Sequence, residues 1–298
     1  MKKRAYLIYN PHSGRGKYKS TLRAVLQQLK PHFEVELIVS NSREFARDIA
    51  AKVTAKVTAK EDKPLVVVAG GDGTINDVVN GADLRNMVLG IIPVGSVNVI
   101  AYDLKIPSRI EHACSILANN ASVRTLDVSK ANNTRFIFGA GVGFDAAVVK
   151  KVELKHKLLL GKTVYAWQSM RLMKSFKPFE ASVTCDGNEV YSGLVFDLII
   201  GKSNYYAGRF KLFDDASYTN GRLNGAIFTH STIPQYIKGC AAFFMQMKDR
   251  RRIYFSGSNI EVKTDSAVPY HVDGDAGSAS PVSFHINSQK LYVVAPQY

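Results

Sequence analysis

The 298-residue sequence predicts an α/β N-terminal domain with a parallel sheet, followed by a mainly antiparallel β domain of sandwich or barrel type. Three observations carry that expectation. Strand-like and helix-like signals alternate over residues 1–127. Two runs in that stretch, 65–69 and 88–92, are continuously apolar, the pattern of strands covered on both faces. After about Asp127, short strand-like runs recur with only two helical interruptions.

Taken in order, residues 5–9 form a short apolar run ending in a polar, glycine-bearing loop at 10–17. Leu22, Val25, Leu26 and Leu29 then fall at i, i+3, i+4 and i+7, one face of a helix. Residues 34–39 read as the second strand and 42–60 as a helix. The end of that helix repeats every four residues, which sets Lys52, Lys56 and Lys60 along one exposed face. In the second half, strands are expected at 136–139, 180–185, 190–200, 225–230, 252–255, 260–263, 283–286 and 291–294. Asp186-Gly187 marks a hairpin, and helices are expected at 154–176 and 234–248.

Composition narrows the class of protein. Hydrophobic residues make up 46% and charged residues 21%, ordinary for a globular chain with a full core. Cys114, Cys185 and Cys240 lie far apart and form neither a disulfide framework nor a metal knuckle, so a reducing, cytoplasmic compartment is expected. The basic N-terminus precedes an apolar run too short for a signal peptide, and eighteen apolar residues never run together. The formal net charge of +14 calls for anionic partners or a solvated basic face. No aromatic RNA-binding strand, zinc-finger spacing or basic zipper accompanies it, so nucleic acid is not the expected partner.

Three turns at strand ends carry chemistry. Gly70-Gly71-Asp72-Gly73-Thr74 follows the 65–69 run directly. Glycines there let backbone N–H groups approach an anion, and a helix N-terminus with Thr74 as a candidate cap favours phosphate. Asp72 would repel phosphate unless it faces a cation or water, which makes it a candidate for the Mg²⁺ that accompanies a triphosphate. The pattern is neither a Walker A loop, since Tyr18 follows Lys17, nor a dinucleotide fingerprint, since Asn76 replaces the third glycine. The other two turns are Asn10-Pro11-His12-Ser13-Gly14 and Pro93-Val94-Gly95-Ser96-Val97-Asn98. Such turns cluster at the carboxyl ends of strands in an open α/β sheet.

With Gly141-Val142-Gly143-Phe144-Asp145-Ala146 and Asp273-Gly274-Asp275, these loops make the chain similar to the diacylglycerol kinase catalytic family, which includes sphingosine, ceramide and bacterial lipid kinases. The motifs fit in order and distance over essentially the whole chain. The resemblance implies a nucleotide domain at 1–127, to which a last strand at about 289–298 returns, and a β-sandwich lipid domain at 128–288. It implies ATP and Mg²⁺, with Asn10, Ser40, Gly70, Gly71, Asp72, Gly73, Thr74 and Ser96 lining the nucleotide. Asp275 takes the place of the family's general base, one methylene shorter than the usual glutamate.

Two departures stand out against that resemblance. Val99 replaces the aspartate that relatives place beside the equivalents of Asp72 and Asp127. Bacterial members also carry a structural Mg²⁺ whose positional equivalents here are Ser217, Asn220 and Arg222, with Asn220 where a carboxylate is usual.

On the substrate side, Leu158, Tyr165, Leu172 and Phe176 share a helical face among Lys150, Lys151, Lys155, Lys157, Lys162, Arg171, Lys174 and Lys177. Such a segment either rests on anionic headgroups at the inner membrane surface or packs on the sandwich. A second basic cluster, Lys248 to Arg252, follows the apolar stretch 241–247. The expectation is a lipid kinase acting on a hydroxyl such as that of diacylglycerol. The alternatives are a kinase of a small soluble acceptor such as NAD, and a non-catalytic nucleotide or lipid sensor.

Overall fold

The structure, a computed structural model, describes residues 2–13, 18–56, 63–119, 122–155, 169, 171–173, 175–206, 210–230, 232–245, 247 and 249–297. It forms two compact units, Met1–Val128 with Ser288–Tyr298, and Ser129–Asn287.

The first unit contains β1 (Lys3–Tyr9), α1 (Tyr18–Leu29), β2 (Phe33–Val39), α2 (Arg43–Ala55), β3 (Leu65–Gly70), α3 (Asp72–Gly81), β4 (Val88–Pro93), α4 (Val99–Asp103) and α5 (Ile110–Ala118). Its sheet runs β2-β1-β3-β4, every pair parallel, and the end of the chain's last strand closes it beside β4 through Val293 opposite Leu89. All six residues of β3 are buried, which accounts for its unbroken apolar run. Leu7, Tyr9, Val25, Leu29, Val67 and Leu117 share one core cluster between the sheet and its helices. Ser42 caps α2 by accepting from Phe45 N at 3.1 Å. This helix ends at Ala55, and Lys60 lies outside the described residues.

The register decides where the loops go. Tyr9 lies opposite Val39 and Ala69, and Gly70 lies opposite Pro93. The turns after β1, β2, β3 and β4 therefore leave the sheet at the same edge, the carboxyl end of a parallel sheet.

The second unit begins within β5 (Ser122–Ala131) and continues through β6 (Thr134–Phe136), β7 (Gly139–Gly143), α6 (Phe144–Lys155), β8 (Phe179–Cys185), β9 (Asn188–Val195), β10 (Asp197–Gly201), β11 (Tyr205–Tyr206) and β12 (Phe210–Lys211). Then come β13 (Leu223–Phe228), α7 (Ile233–Phe244), β14 (Arg252–Gly257), β15 (Asn259–Thr264), β16 (Pro269–Val272), β17 (Asp275–Ala279) and β18 (Val282–Ala295). One antiparallel sheet runs β14-β13-β10-β7-β16-β17; a second layer joins β18, β15, β8 and β9. Val142, Leu198 and Ile227 from the first layer and Val183, Ile260 and Phe284 from the second share one core. Of the two expected architectures, this is the sandwich.

Several expected elements differ. The run 190–200 is two strands, β9 and β10, in different layers. Alternation of exposed and covered residues in β9 gives way to five buried residues in β10, and the apolar residues on either side of Asp197 make residues 194–200 read as one run across the change of layer. The runs 283–286 and 291–294 are one strand, β18, whose polar middle falls where it passes from the second unit into the first. Strand β5 was not anticipated, because Arg124, Thr125 and Asp127 dilute its apolar pattern. Of the stripe at 154–176, Leu158 and Tyr165 lie outside the described residues, whereas Leu172 is buried and Phe176 packs edge-on against Phe144 and Phe196. Among the described residues, no helix is long and apolar enough to cross a membrane.

Candidate active site

Three of the four turns at the carboxyl edge of the first unit's sheet are tied to one another. Asn10 Nδ2 donates to Thr74 Oγ1 at 2.9 Å, joining the turn after β1 to the first turn of α3. Asn10 Oδ1 accepts from His12 N at 2.9 Å, which holds the amide in that orientation. A Cβ on Gly95 would lie 2.5 Å from Gly71 Cα, so the turns after β3 and β4 touch backbone to backbone. Gly73 differs: a Cβ there would meet nothing within 4 Å, so the start of α3 faces open space. An open helix start bordered by two glycine turns fits the phosphates of a nucleotide.

Asp72 occupies the junction. Its Oδ2 accepts from Val99 N at 3.0 Å and its Oδ1 from Ile100 N at 3.1 Å. Asn98, at φ 54°, turns the chain into α4 without capping it, and the Asp72 carboxylate takes over that task. Burial raises the Asp72 pKa; the N–H donors of Val99 and Ile100 oppose that rise without cancelling it. This contact uses the backbone of residue 99, so the valine side chain does not interrupt it.

Of the remaining nucleotide candidates, Ser40 is buried, with its hydroxyl donating to Ser42 O at 2.9 Å, and Ser96 is exposed. Asp127 is buried and ion-paired with Lys290 of the last strand.

In the second unit, Asp273 (φ 48°) and Gly274 (φ 80°) form a two-residue hairpin between β16 and β17. Asp273 anchors this hairpin by accepting from Ile137 N at 2.8 Å and from Phe138 N and Gly139 N at 2.9 Å each. Asp275, half-buried, opens β17 opposite Val272. The two acids of the Asp-Gly-Asp motif therefore differ in setting: Asp273 is engaged in holding the turn that presents Asp275.

Behind that turn is a polar cluster that sequence patterns did not assign. Gly274 N donates to His271 Nδ1 at 3.3 Å, which leaves the proton on Nε2 to donate to Asp145 Oδ2 at 2.6 Å. The Tyr206 hydroxyl donates to the same oxygen. Burial pushes the Asp145 pKa up, but His271 and Tyr206 together outweigh it and hold the carboxyl below its ordinary value. Asp197 is pushed well above the carboxylate range, by burial first and then by the Asp145 charge, and accepts from Asp145 N at 3.2 Å. A Cβ on Gly141 would sit 2.7 Å from His271 Nε2 and 2.9 Å from Asp145 Oδ2, so the cluster requires glycine there. The sequence signal for it was the Gly141–Ala146 motif together with a histidine two positions before Asp273.

The structural Mg²⁺ implied at 217–222 does not suit the groups present. Ser217 Oγ accepts from Thr219 N at 3.2 Å within its own turn. Asn220 Oδ1 and the Arg222 carbonyl instead receive the Lys202 amine, at 3.2 and 2.8 Å. No cluster of three or more His, Cys, Asp or Glu side chains that would hold a metal ion occurs among the described residues.

Comparison with known proteins gives a consistent picture. Residues 4–131 match the diacylglycerol kinase catalytic domain, and residues 139–295 match the YegS C-terminal NAD kinase beta sandwich-like domain. A diacylglycerol kinase of Bacillus subtilis is 30% identical over 300 residues, 99% of this chain and 97% of the relative. A crystal structure of a diacylglycerol kinase from Bacillus anthracis superposes with a TM-score of 0.74 at 19% identity, covering 98% of this chain and 97% of that one. An NAD kinase from Archaeoglobus fulgidus in complex with ATP shares the fold more distantly, with a TM-score of 0.56 at 14% identity, covering 99% of this chain and 94% of that one.

Proposed function

The chain belongs to the diacylglycerol kinase catalytic family, and from that membership we propose that it transfers the γ-phosphoryl group of ATP to a lipid hydroxyl, that of diacylglycerol. The observation that carries the donor side is the open start of α3 at Gly73 between turns locked together by Asn10, Thr74, Gly71 and Gly95. The first unit is assigned the nucleotide and the second the lipid.

In this reading the backbone N–H groups of Gly71 to Thr74, with Asn10, Ser40 and Ser96, orient the triphosphate. A Mg²⁺ ion bound with ATP would supply positive charge against the charge on the transferring phosphoryl group. Asp72, already fixed by the start of α4, is the residue that would hold that ion in place, directly or through water. The lipid hydroxyl oxygen attacks the γ-phosphorus, the bond to the β–γ bridging oxygen breaks, and Asp275 takes the hydroxyl proton. His271 and Asp145 act through the 273–275 turn and are positioning residues.

The lipid meets the protein at a membrane surface, and α7 supports that part of the reading. Ile237, Ala241 and Met245 are exposed at i, i+4 and i+8, with Ile237 at 51% and Met245 at 69%. Met247 is also exposed, as are Lys238, Arg250 and Arg251 nearby. Apolar side chains amid cations suit the anionic cytoplasmic leaflet, where the kinase would dock peripherally.

The test is transfer of radiolabelled γ-phosphate to diacylglycerol, a sphingoid base and an isoprenoid alcohol in mixed micelles, with soluble acceptors such as NAD in parallel. Asp275→Asn is expected to lose transfer by a factor of about 10² or more while retaining nucleotide binding. Label appearing only on a soluble acceptor, or full activity in Asp275→Asn, would refute the assignment.

A further inference from the structure

We propose that the Lys202 side chain is a built-in cation that takes the place of a structural divalent metal ion in the second unit. Lys202 follows the end of β10 and is completely buried, although its neighbours Gly201 and Ser203 carry no acidic group. A lysine is almost never fully buried without dedicated acceptors. Here its Nζ donates to Asn220 Oδ1 at 3.2 Å and to the Arg222 carbonyl at 2.8 Å. Both acceptors belong to the turn that leads into β13, the strand paired with β10 through Gly201 and Asn224. Asn220 Oδ1 also accepts from Arg222 N at 3.1 Å, which shapes the turn around the amine. Gly221, at φ 67°, supplies the bend.

The charge balance explains why lysine and asparagine occur together. A divalent ion with one aspartate leaves one net positive charge in this pocket. An ammonium with a neutral amide leaves the same charge. The two arrangements are equivalent in net charge and share the Asn220 and Arg222 positions, but a covalently attached ammonium neither dissociates nor depends on the surrounding metal concentration. Asn220 is thus the complement of Lys202, and a carboxylate is not required there. The four-carbon stem adds apolar packing that a hydrated ion does not provide. The second unit therefore folds without divalent metal, and any metal requirement of the protein arises where nucleotide binds.

The experiment is thermal denaturation of the full chain without nucleotide, in excess MgCl₂ and in excess EDTA. Wild type is expected to unfold at the same temperature in both. Lys202→Met, which removes the amine's hydrogen bonds to Asn220 Oδ1 and the Arg222 carbonyl, is expected to unfold about 5 °C lower or more. Lys202→Asn combined with Asn220→Asp restores a carboxylate and vacates the amine position. Its unfolding temperature is expected to rise by several degrees on adding MgCl₂ and to fall again with EDTA. A wild-type chain destabilised by EDTA and rescued by Mg²⁺ would overturn the proposal, and this comparison needs no variant to fold. Lys202→Met as stable as wild type, or a double variant indifferent to Mg²⁺, would overturn it equally.

Discussion

At the scale of single residues, the same side-chain chemistry performs different tasks according to what surrounds it. Asp72 and Asp273 both accept several backbone N–H groups and so join separate segments, whereas Asp275 begins a strand beyond the turn that Asp273 holds. Asp145 is held ionised by His271 and Tyr206, and Asp197 beside it is pushed toward its neutral form. Gly141 is the sensitive point of this cluster. Adding one methyl group in Gly141→Ala forces His271 and Asp145 aside and is expected to cost about 1–3 kcal/mol, with a matching loss of phosphoryl transfer. Calorimetry beside the transfer assay checks both; an unchanged unfolding temperature would mean that the cluster tolerates displacement. The Gly-Gly-Asp-Gly turn was conspicuous in the sequence because three glycines and an acid in five residues are unusual. Lys202 was not, since nothing adjacent in sequence distinguishes a buried lysine from an exposed one. Only Asn220, neutral where a carboxylate is usual, hinted at it.

At the scale of elements, legibility followed burial. β3 and β4 are almost wholly buried and announce themselves as apolar runs. β5 and β18 mix covered and exposed faces over 10 and 14 residues, so their patterns break up when read locally. α7 carries a further consequence. It packs over His230, which is fully buried with Nε2 3.0 Å from Asp249 Oδ2, and a Cβ on Gly239 would lie 2.2 Å from that nitrogen. Burial lowers the His230 pKa below its ordinary 6.5, with Asp249 opposing in part. The folded chain therefore binds fewer protons than the unfolded chain below pH 6.5. Stability from this group is complete above that pH and declines as pH falls toward and through the folded pKa. The difference in unfolding temperature between pH 7.5 and pH 5.5 should thus shrink in His230→Gln, as a melting series at the two pH values would reveal. An undiminished difference would assign the acid sensitivity to other groups.

At the scale of the whole molecule, the proposed docking at a lipid surface rests on the net charge of +14 together with exposed Ile237, Ala241 and Met245 along α7 and its end. Sedimentation with vesicles containing phosphatidylserine should fall several-fold in the Ile237→Glu/Met245→Glu double variant and decline with added salt. Binding that survives both changes would place the lipid contact elsewhere on the chain. The division into two units has a different consequence, which concerns synthesis. The end of the last strand, from Ser288 onward, completes the first unit beside β4. On the ribosome, β1 to β4 emerge early, yet the edge of β4 remains uncovered until residues 129–287 have also been translated. At elongation rates of roughly 5–20 residues per second that interval is roughly 10–30 s, during which nascent chains expose a parallel strand edge to one another or to chaperones.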